Sequence, residues 1–354
     1  MNAPVDSATK ETDGNDWRHW VQPLITGSRR KSSIRSHRSL LPGDGIVVVG
    51  FVVLYVLTQS RHSEFATTTM LNIGLFVLLV VSLQLMLGFS NRASLAQAGV
   101  YGIGAYIAVY VELKLGLPIA IAAVASILGC GLFGFALAFP LSRLREHFLA
   151  MGTLAAQLLL STAFLHLNGL TGGVNGEAPP AAHLNSFTVL VILFLFDVAA
   201  VVGLSHFRVS RRGREVLALR VDETMATSIG VNVPAMRLAV ITVAFAITGL
   251  AGFMFTETAA FIAPDDFTLT ISLGVLVAVI LGGCSLRWGA IIGATVYSFL
   301  SAETVSYPGL ATIIIGATLI VVLGYAPAGV SGINLMSARR LFGRLVDAPH
   351  SRHT

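Results

Sequence analysis

Few residues in this chain have the type and spacing that bond-making chemistry needs. Asp265-Asp266 is a paired carboxylate, the pattern used for general acid–base work, but no histidine stands beside it. A turn cap or a solvated loop accounts for the pair. Three lysines occur, Lys10, Lys31 and Lys114, and none follows a glycine, so no phosphate-cradling Gly-Lys-Ser/Thr loop is present. A His-Glu-x-x-His run and a nucleophile elbow are also missing. Cys130 and Cys284 lie in or beside apolar runs and make neither a disulfide framework nor a metal cluster. No catalytic residue, metal ligand or cofactor is expected on this chain. ATP, if used, is hydrolysed on another one.

The remaining polar residues of interest sit inside apolar runs. Asp197 lies near the middle of one. A charge at the centre of a bilayer costs roughly 3 kcal/mol, so this acid faces a bundle interior or is protonated. It is a proton or solute contact, or a packed Asp bonded to a neighbouring helix. Asn72, Gln84 and Gln97 occupy the first glycine-rich pair of runs, where amides bond helix to helix or line a path for a polar solute. Gly99, Gly102, Gly104 and Ala105 form a small-residue face that suits close helix packing. Gly282, Gly283, Gly289, Gly293 and Ala294 form a second.

The elements that must carry these residues are membrane spans. The chain has 354 residues, of which 55% are hydrophobic and 12% charged. Its mean hydropathy is +0.78. A water-soluble domain has about 25% charged residues, so the bilayer is the solvent here. A span takes about 20 apolar residues. The runs 46–58, 67–88, 95–111, 118–139, 148–167, 187–204, 238–255, 269–283, 289–302 and 310–324 predict an all-α polytopic bundle of about ten spans. With both termini cytoplasmic, 21 of the 23 basic residues fall inside, and only Arg61 and Lys114 fall outside. Residues 1–44 are then a disordered cytoplasmic tail without a cleaved signal, 45–330 the membrane domain and 331–354 a cytoplasmic C-terminal tail. The longest outer loop contains Thr171-Gly172-Gly173-Val174-Asn175-Gly176, whose composition predicts turns with positive φ.

The loop 206–237 is the most charged internal segment. It holds Arg208, Arg211, Arg212, Arg214, Arg220 and Arg237 with Glu215, Asp222 and Glu223. Leu217, Val221, Met225 and Ile229 recur every four residues and predict one amphipathic helix of about four turns, stopped by Gly230 with Pro234 beyond. Such a helix seats its apolar stripe in a partner's groove, or lies on anionic lipid of the inner leaflet.

These residues resemble the M-type inner-membrane permease of branched-chain amino acid ABC importers, from about Leu71 to Gly329. The clearest stretch is Gly213-Arg214-Glu215-Val216-Leu217-Ala218-Leu219-Arg220-Val221-Asp222-Glu223, then Ser228-Ile229-Gly230-Val231-Asn232. Leu71-Asn72-Ile73 with Gly102-Ile103-Gly104-Ala105-Tyr106, Leu170-Thr171-Gly172-Gly173 with Asn175-Gly176, and Phe261-Ile262-Ala263-Pro264 with Gly282-Gly283 are similar in order and sidedness. Departures fall at Gln84, where the family commonly has Asn, at Gln97, where His is common, and at Val174, Met225 and Thr227.

The resemblance implies a bacterial inner-membrane importer subunit with a homologous second permease, two cytoplasmic ATPases and a periplasmic binding protein as partners, and no nucleic acid. It implies that Arg220, Asp222, Glu223, Met225, Ala226, Ile229 and Gly230 meet the ATPase. Related permeases carry aliphatic amino acids, urea or other small solutes, so the solute stays open. Two other readings stand beside it: an ion-coupled secondary transporter using Asp197, and a membrane scaffold.

Overall fold

The computed structural model describes residues 64–141, 146–179, 185–221, 223–228, 230–283 and 288–304. The expected spans 46–58 and 310–324, and both tails, lie outside these residues. Eleven α-helices are described: α1 Glu64–Ser90, α2 Gln97–Val109, α3 Ile119–Leu141, α4 Glu146–His166, α5 Asn168–Thr171, α6 Ser186–Val209, α7 Arg211–Val221, α8 Glu223–Ser228, α9 Val233–Thr258, α10 Leu269–Gly282 and α11 Gly289–Thr304. A π-turn at Tyr110–Lys114 and 3-10 turns at Gly173–Asn175 and Pro264–Phe267 link some of them. Among the described residues the one extended pairing is a single antiparallel bridge, Glu177 to Ile262.

Six helical segments are long and apolar enough to cross a membrane, and α11 supplies a shorter apolar one. Their burial sorts them by position. The apolar stretch of α1 is 78% buried and that of α9 56%, against 28% for α3, 28% for α4 and 22% for α6. So α1 and α9 form the centre, and α3, α4 and α6 form an outer ring. That ring is apolar on its exposed side: Leu128 and Leu132 of α3 are 66% and 69% exposed, and Leu159 of α4 is 67% exposed. Water would not tolerate such a continuous face, whereas hydrocarbon does.

Helix α9 packs on α3, α2 and α1. Glycine makes this possible. A Cβ on Gly104 would sit 2.7 Å from the Gly249 carbonyl oxygen, and one on Gly252 would sit 2.3 Å from the Tyr101 carbonyl oxygen. Backbones in near contact gain dispersion energy that lipid cannot compete for. Thr256 Oγ1 of α9 donates to Ala105 O of α2 at 3.3 Å, and between α3 and α2 Ser126 Oγ donates to Gly104 O at 2.8 Å. The small residues expected to share one face in fact serve three neighbours. Gly99 faces Leu160 of α4, Gly102 faces Phe164 and Phe267, and Gly104 faces α9. Gly282 instead meets Gly289 across the α10–α11 connection, and Gly283 has φ +87°.

In the charged loop two helices are described, α7 and α8, on either side of residue 222, which lies outside the described residues. Val216 of α7 is fully buried and Ala226 of α8 is 1% exposed. Gly230 ends the segment with φ +85°, and Val231 N donates to Ala226 O at 3.1 Å, the left-handed stop expected from its sequence.

Gly104→Val should destabilise the protein by about 1–3 kcal/mol, because the new methyls have only backbone to displace. Gly203→Ala, with nothing within 4 Å of the added Cβ, should leave stability unchanged. Thermal unfolding of the purified protein in detergent, followed by fluorescence-detected gel filtration, checks both.

Candidate functional site

Helix α2 starts inside the bundle. Gln97, Ala98, Gly99 and Val100 are all buried at its amino end. The first N–H groups of a helix have no partner in their own helix, and in an apolar interior each would cost several kcal/mol. Side chains from two other helices supply the acceptors. Ala98 N donates to Ser272 Oγ of α10 at 2.9 Å, and Gly99 N to Gln157 Oε1 of α4 at 2.7 Å. Ser272 Oγ in turn lies 3.3 Å from Gln157 Oε1, and Gln157 Nε2 donates to Phe267 O at 2.9 Å. One amide therefore ties α2, α4, α10 and the Pro264–Phe267 turn together.

A second polar knot lies beside it. Gln97 Oε1 is 2.8 Å from Thr248 Oγ1 of α9 and 3.3 Å from Ser82 Oγ of α1, with Thr248 and Ser82 oxygens 2.9 Å apart. All three residues are fully buried. Gln84, two residues on along α1, donates from Nε2 to Gly283 O at 3.4 Å. The two glutamines singled out in the sequence are thus joined through α1 to a common core. Asn72 and Asp197 stand apart from it. Asn72 is exposed on α1. Asp197 is 3% exposed on the α6 face that meets α1, its Oδ2 3.1 Å from where a Cβ of Gly74 would lie. Its Oδ1 makes no hydrogen bond among the described residues.

The amides of Gln84 and Gln97 were visible in the sequence as polar residues in apolar runs. Gln157, Thr248 and Ser272 carry the same signal, but their pairing does not show, because the partners lie 115 and 151 residues apart.

At one end of the bundle sits the basic loop. Arg220 is exposed, and its Nη1 donates to the Gly88 carbonyl at the end of α1, 2.7 Å away. Phe89 and Phe207 stack nearby with centroids 5.4 Å apart. Leu217, the first residue of the predicted stripe, packs on the bundle's own apolar cluster. Glu223, Met225, Ala226 and Gly230 follow on α8 and its stop, while Asp222 and Ile229 lie outside the described residues.

The glycine-rich loop lies at the other end of the 24-residue α6. Gly172, Gly173 and Gly176 have φ of +70°, +59° and +63°. Glu177 and Ile262 exchange two backbone hydrogen bonds of 3.0 Å. Below that bridge Phe267 is fully buried among Tyr101, Tyr106, Phe164 and Phe255. Asp266 Oδ2 accepts from Ala263 N at 2.9 Å, so half of the paired carboxylate is a turn cap. Lys114 Nζ donates to Gly169 O. Among the described residues no group of His, Cys, Asp and Glu could hold a metal ion.

Glu112, on the π-turn beyond α2, lies close to the carboxyl of Glu257. Burial first, then that second carboxyl, pushes it from the ordinary 4.5 up to about 7.

The bundle joins a buried polar core to a basic helical loop at one end, and six of its segments are long and apolar enough to cross a membrane. Residues 65–323 match the family model described as the branched-chain amino acid transport system/permease component, and the chain belongs to that family. It is 28% identical over 342 residues to the high-affinity branched-chain amino acid transport system permease protein LivM of Salmonella typhimurium, covering 88% of this chain and 77% of that one. The Escherichia coli LivM protein gives the same identity and coverage. No solved structure matches the chain.

Gln157→Leu should cost about 1–3 kcal/mol by leaving the Gly99 N–H without its acceptor, read as a lower melting temperature in detergent. For Glu112 the folded-state value lies above the unfolded one. Its contribution is therefore complete below about pH 4.5 and is lost as pH rises to about 7. Glu112→Gln should flatten that decline, so melting temperatures of the variant and the wild type should differ more at about pH 8 than at about pH 5.

Proposed function

We propose that this chain forms the translocation path of an ATP-driven importer in a bacterial inner membrane, carrying branched-chain amino acids or a closely related small solute. A homologous second permease completes the path, two cytoplasmic ATPases drive it, and a periplasmic binding protein delivers the solute. The printed names of the relatives support the solute class. The observation that carries the mechanism is the Arg220–Gly88 bond. A loop helix tied to the end of the central span passes its motion to that span. Helix α1 then bears on α2 through Ser82 and Gln97, and on α10 through Gln84 and Gly283.

On this reading both chain ends and the loop 206–237 face the cytoplasm. ATP-driven closure of the ATPases shifts α7 and α8, and α1 carries that shift to the polar core. Asp222, Glu223, Met225 and Ile229 form the docking face, with Ala226 buried beneath it and Gly230 ending it. No ATP is bound or split on this chain, and it needs no cofactor of its own. Met225→Asp and Ile229→Asp should cut co-purification of the ATPase subunits at least tenfold, a loss of about 1.4 kcal/mol or more in docking. Wild-type recovery with both variants would overturn the docking face.

Asp197 carries a second reading, because it is a buried acid with an oxygen that makes no hydrogen bond among the described residues. There it would take up a coupling proton. Transport assays of Asp197→Asn in vesicles decide this: uptake at the wild-type rate removes proton coupling through that residue.

A further inference from the structure

Helices α6, α9 and α1 do not close on one another near the basic end. A cavity of about 380 Å³ lies between them. Ala199, Ala200 and Gly203 of α6 face Ala239, Val243 and Ile247 of α9, with Val81 and Leu85 of α1 behind. Small residues on facing helices ordinarily let backbones touch. Here the walls stay apart, and a Cβ on Gly203 would meet nothing within 4 Å. Ala199, Gly203 and Val243 are exposed, so the groove opens sideways from the bundle.

The shape restricts the occupant. From Met236 to Ile247 the groove runs along roughly 16 Å of helix. Its whole empty space, counted out to the open side, is about 940 Å³, whereas a helix about 10 Å across fills roughly 1,250 Å³ over that length, too much for the groove. A single extended hydrocarbon chain fits.

Polarity restricts it further. Every lining side chain is apolar except Arg212, which stands with Phe207 and Met236 at the end nearest the loop. Arg214, which donates to the Val209 carbonyl at 2.8 Å, adds positive charge to the same end, while the charge of Arg211 is matched by Glu215 at 3.3 Å. Hydrocarbon along the groove and a guanidinium at its mouth match a phospholipid carrying a negative headgroup.

We propose that the groove binds one acyl chain of an anionic phospholipid, with Arg212 against its phosphate. The chain would fill the space that the small residues leave open and hold α6 apart from α9. The site is independent of the solute and of the ATPase docking face.

Native mass spectrometry of the purified full-length chain, with whatever subunits accompany it, tests this. The probes are phosphatidylglycerol and phosphatidylcholine with identical acyl chains. One arginine near an anionic surface contributes about 1 kcal/mol, so the wild type should prefer phosphatidylglycerol roughly fivefold. Arg212→Gln should abolish the preference, and Arg211→Gln, outside the lining, should keep it. Gly203→Leu should lose the retained lipid of either kind. Equal retention of the two lipids by the wild type, or unchanged retention by Gly203→Leu, overturns the proposal. So does a crosslink from Val243→Cys to a second permease subunit, which would put a protein helix in the groove.

Discussion

A helix that begins inside an apolar bundle must find acceptors for its first N–H groups, and the rest of this structure is arranged around that need. The amino end of α2 cannot turn to water and cannot turn to lipid. Ser272 and Gln157 reach it from α10 and α4, and their geometry fixes where those helices stand. The Pro264–Phe267 turn follows, because Gln157 spends its N–H on the Phe267 carbonyl. Phe267 then becomes the centre of the aromatic cluster beneath the glycine-rich loop.

Near this fixed point the polar contacts are few and the apolar contacts many. Helix association in lipid gains little from hydrophobicity, so packing rests on close backbone approach and on hydrogen bonds. Both kinds occur at α9. Gly249 and Gly252 bring its backbone against α2 and α3, and Thr248 joins α2 and α1 one residue away from the first of these contacts. A helix fastened by both devices is held close to its neighbours. At the loop end a further tie joins α7 to α1, where the Arg220 guanidinium donates to the Gly88 carbonyl.

Local features were legible in the sequence. Gly230 behaves as the helix stop its type and neighbours predict, Asp266 as a turn cap, and Gly172, Gly173 and Gly176 as positive-φ turns, because each depends on residues within five positions. The helical class and six of the apolar spans followed from hydropathy alone. What stayed hidden was pairing across the chain. Gln97 reads as a polar residue in an apolar run, but nothing nearby names Thr248 as its partner. The burial of Val216 and Ala226 was hidden for the same reason, since it is decided by the bundle and not by the loop's own period. The gap at Gly203 is a negative of neighbouring surfaces and has no linear signature.

The two ends of the bundle are fastened by different kinds of atom. At the basic end the fastening is a side chain, Arg220, so one nucleotide change can alter it. At the glycine-rich end it is main chain to main chain, Glu177 to Ile262, with both hydrogen bonds made by backbone groups. Those two bonds survive any replacement that keeps the backbone path and its N–H groups. Exposed side chains on that rim can therefore change toward whatever surface arrives there, whereas Gly176, whose Cβ would lie 2.5 Å from the Ile262 carbonyl oxygen, cannot, and the clasp beneath them persists.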